Sequence, residues 1–311
     1  MTGELLLITG GTGFLGSVVV DLALRRGHEV RVAVRDAARA RALLPPGVDV
    51  VVVDLSDAGD LDALTHAAHG CTGVLHLAGA VGHSPEETRR ANVESTRHVL
   101  AAAIGAGVPR LVYTSSSAAV IDADGLIAEE PVGPPALTDA YSTSKAEAEG
   151  LVLAAAADGL GAVIVNPVSV YGPSPQGPHS YNGLFLAAAH GRVPAVVDAR
   201  IGWVLAEDAA LGHLLALEHG IPGRRYVLCG ETATFGRVLH TFADLVGGVR
   251  VPLLPPGASL GPEATTFARR SEVYGHFPPV RVDDRGARAW GFAPRGVADG
   301  LALTAAWTRT L

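Results

Sequence analysis

The residues best suited to chemistry in this chain are a hydroxyl cluster, Thr114-Ser115-Ser116-Ser117, and, about twenty-five residues later, Tyr141-Ser142-Thr143-Ser144-Lys145. Tyr141 and Lys145 stand four apart in a stretch rich in Ala and Glu that reads as helix, so their side chains lie one above the other on one face. That spacing predicts an ammonium beside a phenol. A phenol near its ordinary pKa of about 10 is a poor proton donor or acceptor at neutral pH, and a nearby cation lowers that value. A serine hydroxyl from the cluster then holds a carbonyl oxygen while Tyr141 exchanges a proton with it.

Such a set needs a source of electrons, and the start of the chain supplies a place for one. Leu5-Leu6-Leu7-Ile8 is an uncharged apolar run, the pattern of a buried parallel strand, and it passes through Thr9-Gly10-Gly11-Thr12-Gly13-Phe14-Leu15-Gly16 into a helix starting near Ser17. Gly10 permits a tight turn, Gly13 lets the backbone approach a pyrophosphate, and Gly16 lets the helix pack close to the strand. Thr12, Phe14 and Leu15 complete a cradle whose free N–H groups face an anion, as a dinucleotide site requires.

The next strand, Glu29 to Val34, ends in Arg35-Asp36, where such a fold meets the adenosine ribose. An acid there would bind both ribose hydroxyls of NAD. Val34 holds that place and Arg35 follows, so the expectation is NADPH, with NADH second: a guanidinium binds a 2′-phosphate and stacks on adenine. Asp36 remains the alternative acidic partner. Val48 to Val53 reads as a third strand with Asp54-Leu55 at its end, Asp54 serving either the adenine amino group or a helix N-cap. Gly73 to Gly79 is a fourth strand, and the small residues among Leu77-Ala78-Gly79 let a cofactor lie against backbone; His76 reads as a packed histidine. A helix from about Pro85 to Ala106 carries Asn92, Arg110 to Thr114 is the fifth strand, and Gly161 to Pro167 the sixth. This alternation predicts an α/β fold, an open, doubly wound parallel sheet with helices on both faces.

Composition narrows the partners. Hydrophobic residues make up 48% and charged ones 18% of 311 residues, so the chain buries a large core. A net charge of −7 without a Lys/Arg stripe argues against nucleic acid. Cys71 and Cys229 lie far apart and suggest a reduced interior; with no membrane-length apolar run and no signal-type start, the expectation is a cytoplasmic protein without a membrane partner. His66 and His69 lack a third ligand at useful spacing, so no metal is expected. Beyond Gly172 the chain loses regularity. Residues 1–172 read as a dinucleotide-binding domain, to which a strand and helix near 200–229 return. Residues 173–311 read mainly as a smaller substrate lobe, with a helix around Glu263 to Tyr274 and a Trp290 to Trp307 helical tail.

The sequence resembles the extended short-chain dehydrogenases/reductases, within them the dihydroflavonol reductase and 3β-hydroxysteroid dehydrogenase branch. Thr9 to Gly16, Val34-Arg35-Asp36, His76 to Gly79, Ala91-Asn92-Val93, Val112 to Ser116, Tyr141 to Lys145, Asn166 to Pro173, Glu207-Asp208-Ala209 and Arg224 to Leu228 carry the likeness. The resemblance implies a Rossmann domain with a C-terminal substrate lobe. It makes Ser116 the catalytic serine, gives Lys145 the nicotinamide ribose, puts Thr114 and the backbone at Pro167, Val168 and Val170 against the cofactor, and has Asn92 support the site. It also implies delivery of a hydride to a ketone. Relatives often dimerise through helices including the one with Tyr141, so a homodimer is the assembly to test. An NADPH-dependent ketoreductase follows as the first expectation. A nucleotide-sugar epimerase or dehydratase using NAD is the alternative, against which stand Ser115-Ser116 where a dehydratase has Asp-Glu, and Val34 where an epimerase has an acid. An inactive, nucleotide-sensing relative is the third, against which the Ser-Tyr-Lys set stands. A substrate lobe rich in Ala, Leu, Val and Pro, without an Arg/Lys cluster for a diphosphate, favours an apolar or aromatic ketone, such as a polyketide or other specialised metabolite.

Overall fold

Uninterrupted apolar runs become strands buried on both faces. In the computed structural model, which describes residues 3–131 and 133–311, the first part of the chain forms β1 (Leu5–Thr9), α1 (Phe14–Arg25), β2 (Glu29–Val34), α2 (Ala37–Leu43), β3 (Asp49–Val52), α3 (Leu61–Ala68), β4 (Gly73–His76), α4 (Pro85–Arg89), α5 (Ser95–Gly105), β5 (Arg110–Thr114), β6 (Leu126–Ala128) and α6 (Ala140–Ala157). The rest forms β7 (Gly161–Pro167), β8 (Ser169–Tyr171), α7 (Tyr181–Ala189), β9 (Val196–Val197), β10 (Arg200–Leu205), α8 (Ala206–His219), β11 (Arg225–Leu228), β12 (Glu231–Thr234), α9 (Phe235–Val246), β13 (Leu253–Leu254), α10 (Thr266–Gly275), β14 (Arg281–Asp283), α11 (Arg285–Ala289) and α12 (Val297–Thr308).

Seven strands make one parallel sheet in the order β11-β7-β5-β4-β1-β2-β3. The order reverses between β1 and β4, and a ligand crevice opens above the carboxyl ends at that point. Alternate residues feed opposite cores: Leu6 and Ile8 pack with α1 and α8, whereas Leu7 packs with α3, α5 and α6. Full burial of each contributes about 1.5–3 kcal/mol, which gives the glycine turn after this strand a rigid base.

Smaller sheets lie outside the large one. β8, β10 and β12 form a three-stranded sheet against which Trp203, Tyr171, Tyr181, Phe185 and Phe235 cluster. β14 pairs with β6, and Glu129 just after β6 accepts N–H groups from Val227, Gly286 and Ala287 at 3.2, 2.6 and 2.9 Å, which ties the C-terminal segment to the sheet.

Several boundaries differ from the sequence expectation: β4 ends at His76 rather than Gly79, α10 starts at Thr266 rather than near Glu263, and three further differences have a local cause. α1 begins at Phe14, because Gly13 already has extended backbone and serves as N-cap. The helix expected from Pro85 to Ala106 is interrupted by a π-helical turn at Arg90–Glu94, with Asn92 inside it. The expected Trp290 to Trp307 helix starts only at Val297: Gly291 has φ +84°, and Pro294 disfavours helical backbone at the residue before it. Among the described residues no helix is long and apolar enough to cross a membrane, and no three His, Cys, Asp or Glu side chains converge as a metal site.

Candidate active site

The glycine turn fits a dinucleotide for steric reasons. Gly10 has φ +71°, and a Cβ there would come within 2.6 Å of the Ala78 nitrogen; at Gly16 it would come within 2.0 Å of the Gly10 carbonyl. Only glycine lets β1, α1 and the segment after β4 approach this closely. The result is a cleft of about 550 Å³ over the sheet's reversal point, lined by Gly10, Thr12, Gly13, Arg35, Asp54, Leu55, Leu77, Ala78 and Gly79. Phe14, Leu15 and Gly16 form the first turn of α1 behind it. Arg39 and Arg90, on which the sequence reading was silent, also line the cleft. Asp36 is spent otherwise: its carboxylate caps α2 by accepting the Arg39 N–H at 3.0 Å. Asp54 accepts the Ser56 N–H and hydroxyl at 2.9 and 2.8 Å, which holds its carboxyl below the usual range.

Tyr141 and Lys145 share one face of α6, as predicted, but their electrostatics differ from the simple expectation. Burial holds the Tyr141 phenol above its ordinary value, opposed by the neighbouring Ser116 hydroxyl and by Arg270, whose Cζ lies 5.7 Å from the ring centroid. The lowering expected from Lys145 is not what governs it. The Lys145 ammonium is 4% exposed, donates to the Thr114 carbonyl at 2.9 Å, and lies 4.9 Å from the Tyr113 ring centroid. Burial pushes its pKa down to about 8, against the upward pull of Glu149.

Asn92 acts on backbone. Its Oδ1 accepts the Ala80 N–H at 2.8 Å, and its Nδ2 donates to the Ala80 carbonyl at 3.1 Å and to Ser144 Oγ at 2.8 Å. Ser144 in turn donates to the Tyr141 carbonyl at 2.8 Å. The π turn thus locks the cofactor-side loop to α6. His76 is wired just as tightly. The Thr96 hydroxyl donates to the Asn92 carbonyl at 2.6 Å, so it accepts from His76 Nε2 at 2.9 Å, and His76 Nδ1 accepts from Thr9 at 2.7 Å. Burial pushes this imidazole down to about 3, so it stays neutral and serves as a packed link.

The sequence reading assigned no role to four further polar groups, Glu149, Asn166, Arg225 and His213. Glu149, one turn beyond Lys145, accepts from Asn166 Nδ2 and Arg225 Nε, each at 2.6 Å, and Asn166 also donates to the Ser116 carbonyl at 3.0 Å. His213 donates from Nδ1 to the Ala209 carbonyl at 2.7 Å, which leaves Nε2 to accept the Thr114 hydroxyl at 2.9 Å; burial holds its pKa near 4. Glu149 had a signal in the spacing, the same four-residue step that joins Tyr141 to Lys145, and Asn166 and Arg225 lay in stretches that carry the family likeness. Thr114, Pro167, Val168 and Val170 stand at the carboxyl ends of β5 and β7 and in β8, next to this network. Beyond β8, Ser174 Oγ donates to the Phe14 carbonyl at 3.1 Å, the acceptor also used by Ser17 at 3.1 Å, and the two hydroxyls lie 3.3 Å apart.

Lys145 meets the cleft at Gly79, where a Cβ would lie 3.1 Å from its Nζ, with Tyr141 on the same face of α6 and Ser116 beside the phenol. The model of the NAD dependent epimerase/dehydratase family matches residues 6–229. The chain belongs to this family. As an extended short-chain dehydrogenase/reductase it is an NAD(P)-dependent oxidoreductase. It is similar to a putative dihydroflavonol 4-reductase of Synechocystis, 37% identical over 77% of this chain and 72% of that protein. It is also similar to sterol demethylase protein B of Methylococcus capsulatus, 32% identical over 97% and 98%. Among solved structures, the dTDP-glucose 4,6-dehydratase DesIV of Streptomyces venezuelae, solved with NAD bound, superimposes with a TM-score of 0.80 at 25% identity over 99% of this family member and 97% of DesIV.

Proposed function

We propose that this chain is an NADPH-dependent ketoreductase that converts a ketone of an apolar or aromatic metabolite, polyketide-like or otherwise specialised, into a secondary alcohol. The observation that carries the reading is geometric: the Ser116 hydroxyl neighbours the Tyr141 phenol, and Lys145, on the same face of α6, reaches Gly79 of the dinucleotide cleft, where a Cβ would lie 3.1 Å from its Nζ. A phenol that keeps its proton at neutral pH is in the form that donates to a nascent alkoxide. When bound, the reduced nicotinamide supplies the hydride that forms the new C–H bond as the carbonyl π bond breaks. Ser116 orients the carbonyl oxygen, Tyr141 releases its proton to that oxygen, and Lys145, fixed by the Thr114 carbonyl, would hold the ribose of a bound cofactor. Arg35 and Arg39 offer two guanidinium groups to a 2′-phosphate in the cleft, whereas Asp36, which caps α2 through one oxygen, is not among the cleft's lining residues. The two serines Ser115-Ser116, where a sugar dehydratase has an acidic pair, weigh in the same direction.

Calorimetric titration with NADPH and with NADH tests the cofactor. Tighter NADPH binding that disappears in Arg35→Ala is the expected result, and Tyr141→Phe should abolish ketone reduction while keeping cofactor affinity. Tight NADH binding indifferent to Arg35→Ala would redirect the assignment to the NAD-using epimerase or dehydratase.

A further inference from the structure

We propose that Arg270 anchors an anionic group of the substrate, so that the ketone reduced here is an oxo acid whose carboxylate sits a few bonds from the carbonyl; this deepens the ketoreductase reading and rests on it. Arg270 lies on α10 with its Cζ 5.7 Å from the centroid of the Tyr141 ring, beside the group that takes part in proton transfer. Its side chain is only 17% exposed, yet among the described residues it makes no hydrogen bond to another group. The nearest acid is Asp139, 3.9 Å away, and that carboxylate is already engaged by the Ser142 N–H and hydroxyl at 3.2 and 2.6 Å as the N-cap of α6.

Neighbouring arginines behave differently. Arg269 donates to the Gly261 and Pro262 carbonyls at 2.8 and 3.0 Å, and Arg295 is held by Asp208 and Glu207. A guanidinium that is mostly covered and makes only a long ion pair to Asp139 keeps donors free, and a carboxylate ligand can take two of them in parallel. The same helix presents Phe267 one turn earlier, with its ring 5.0 Å from that of Tyr181. An aromatic wall and a cation three residues apart on one helix fit a ligand that is apolar at one end and anionic at the other.

The test uses 3-oxo-3-phenylpropanoate and its ethyl ester as probes with the full-length chain. In the wild type, kcat/KM with NADPH should favour the acid, and in Arg270→Leu the acid-to-ester ratio should fall about thirtyfold, chiefly through KM, with Arg270→Lys recovering part of it. Binding of the unreactive 3-phenylpropanoate to the NADP+-loaded protein, followed by calorimetry, should weaken in parallel. A wild type that takes the ester as well as the acid overturns the proposal. So does an Arg270→Leu variant that lowers both equally and shifts their pH profiles together, since Arg270 would then act only on the Tyr141 phenol. If neither ketone is reduced, the ketoreductase reading falls, and 3-phenylpropanoate binding, lost or kept in Arg270→Leu, still decides the anchor.

Discussion

Replacing Glu149 by Gln should move the pH range in which this enzyme works. Glu149 is 2% exposed and its carboxylate raises the Lys145 pKa, which burial has pushed down to about 8. The two charges stand one helical turn apart, about 6 Å, and at an effective dielectric constant of about 20 they attract by about 2.8 kcal/mol. Arg225, ion-paired to Glu149 at 2.6 Å, cancels part of this, so the Gln variant should lose about one to one and a half pKa units at Lys145. Lys145 then loses its proton near neutrality. The assay is kcat/KM for ketone reduction between about pH 6 and 9.5, with amine labelling of Lys145 as an independent readout. The wild-type rate should fall on the alkaline side from about pH 8, and that limb should shift toward acid by at least about one pH unit in Glu149→Gln. A limb that stays in place, or moves toward alkali, would refute the claim that Glu149 holds the ammonium in its charged form.

Lys145→Met should abolish ketone reduction yet melt a few degrees higher at pH 7 in a calorimetric scan. Burial lowers the folded-state pKa from 10.5 to about 8. The cost of the buried charge is therefore full below pH 8 and relieved as pH rises from 8 to 10.5. That cost is bounded at about 3 kcal/mol, less the lost bond to Thr114. Gly16→Ala should remove measurable cofactor binding, because its Cβ would meet the Gly10 carbonyl at 2.0 Å and neither is a flexible side chain; calorimetric titration reads this directly. Asn92→Ala should destabilise the fold by about 2–4 kcal/mol in denaturant titrations, since both backbone groups of Ala80 lose their partner. It should also raise the cofactor Kd more than the ketone KM.

What the sequence made legible follows from how each element is stabilised. β1, β5 and β7 are buried on both faces, so they survive as unbroken apolar runs, and the glycine turn is dictated by contacts that no other residue tolerates. β6, β9 and β13 are two or three residues long and exist through the strands they pair with, which leaves almost no local pattern. Tyr141 and Lys145 were visible because helix geometry alone joins them. His213, Asn166 and Arg225 reach the same site across 99, 50 and 76 residues of chain, and a buried polar partner at that separation has no periodicity to betray it. The phenol's raised pKa escaped for a related reason: spacing gives the cation's direction but not how deeply packing withdraws the ring from water.

The hydroxyls of Ser17 and Ser174 meet on one carbonyl, that of Phe14, in the first turn of the cofactor-facing helix. Ser174 belongs to the segment after β8, so one acceptor joins that segment to the start of α1. Anything that steadies the first turn of α1 also steadies that segment, and thermodynamic reciprocity requires the converse by the same factor. A dinucleotide and a ketone that each order one of these two segments would therefore couple positively, and titrating each ligand in the presence of the other measures that coupling.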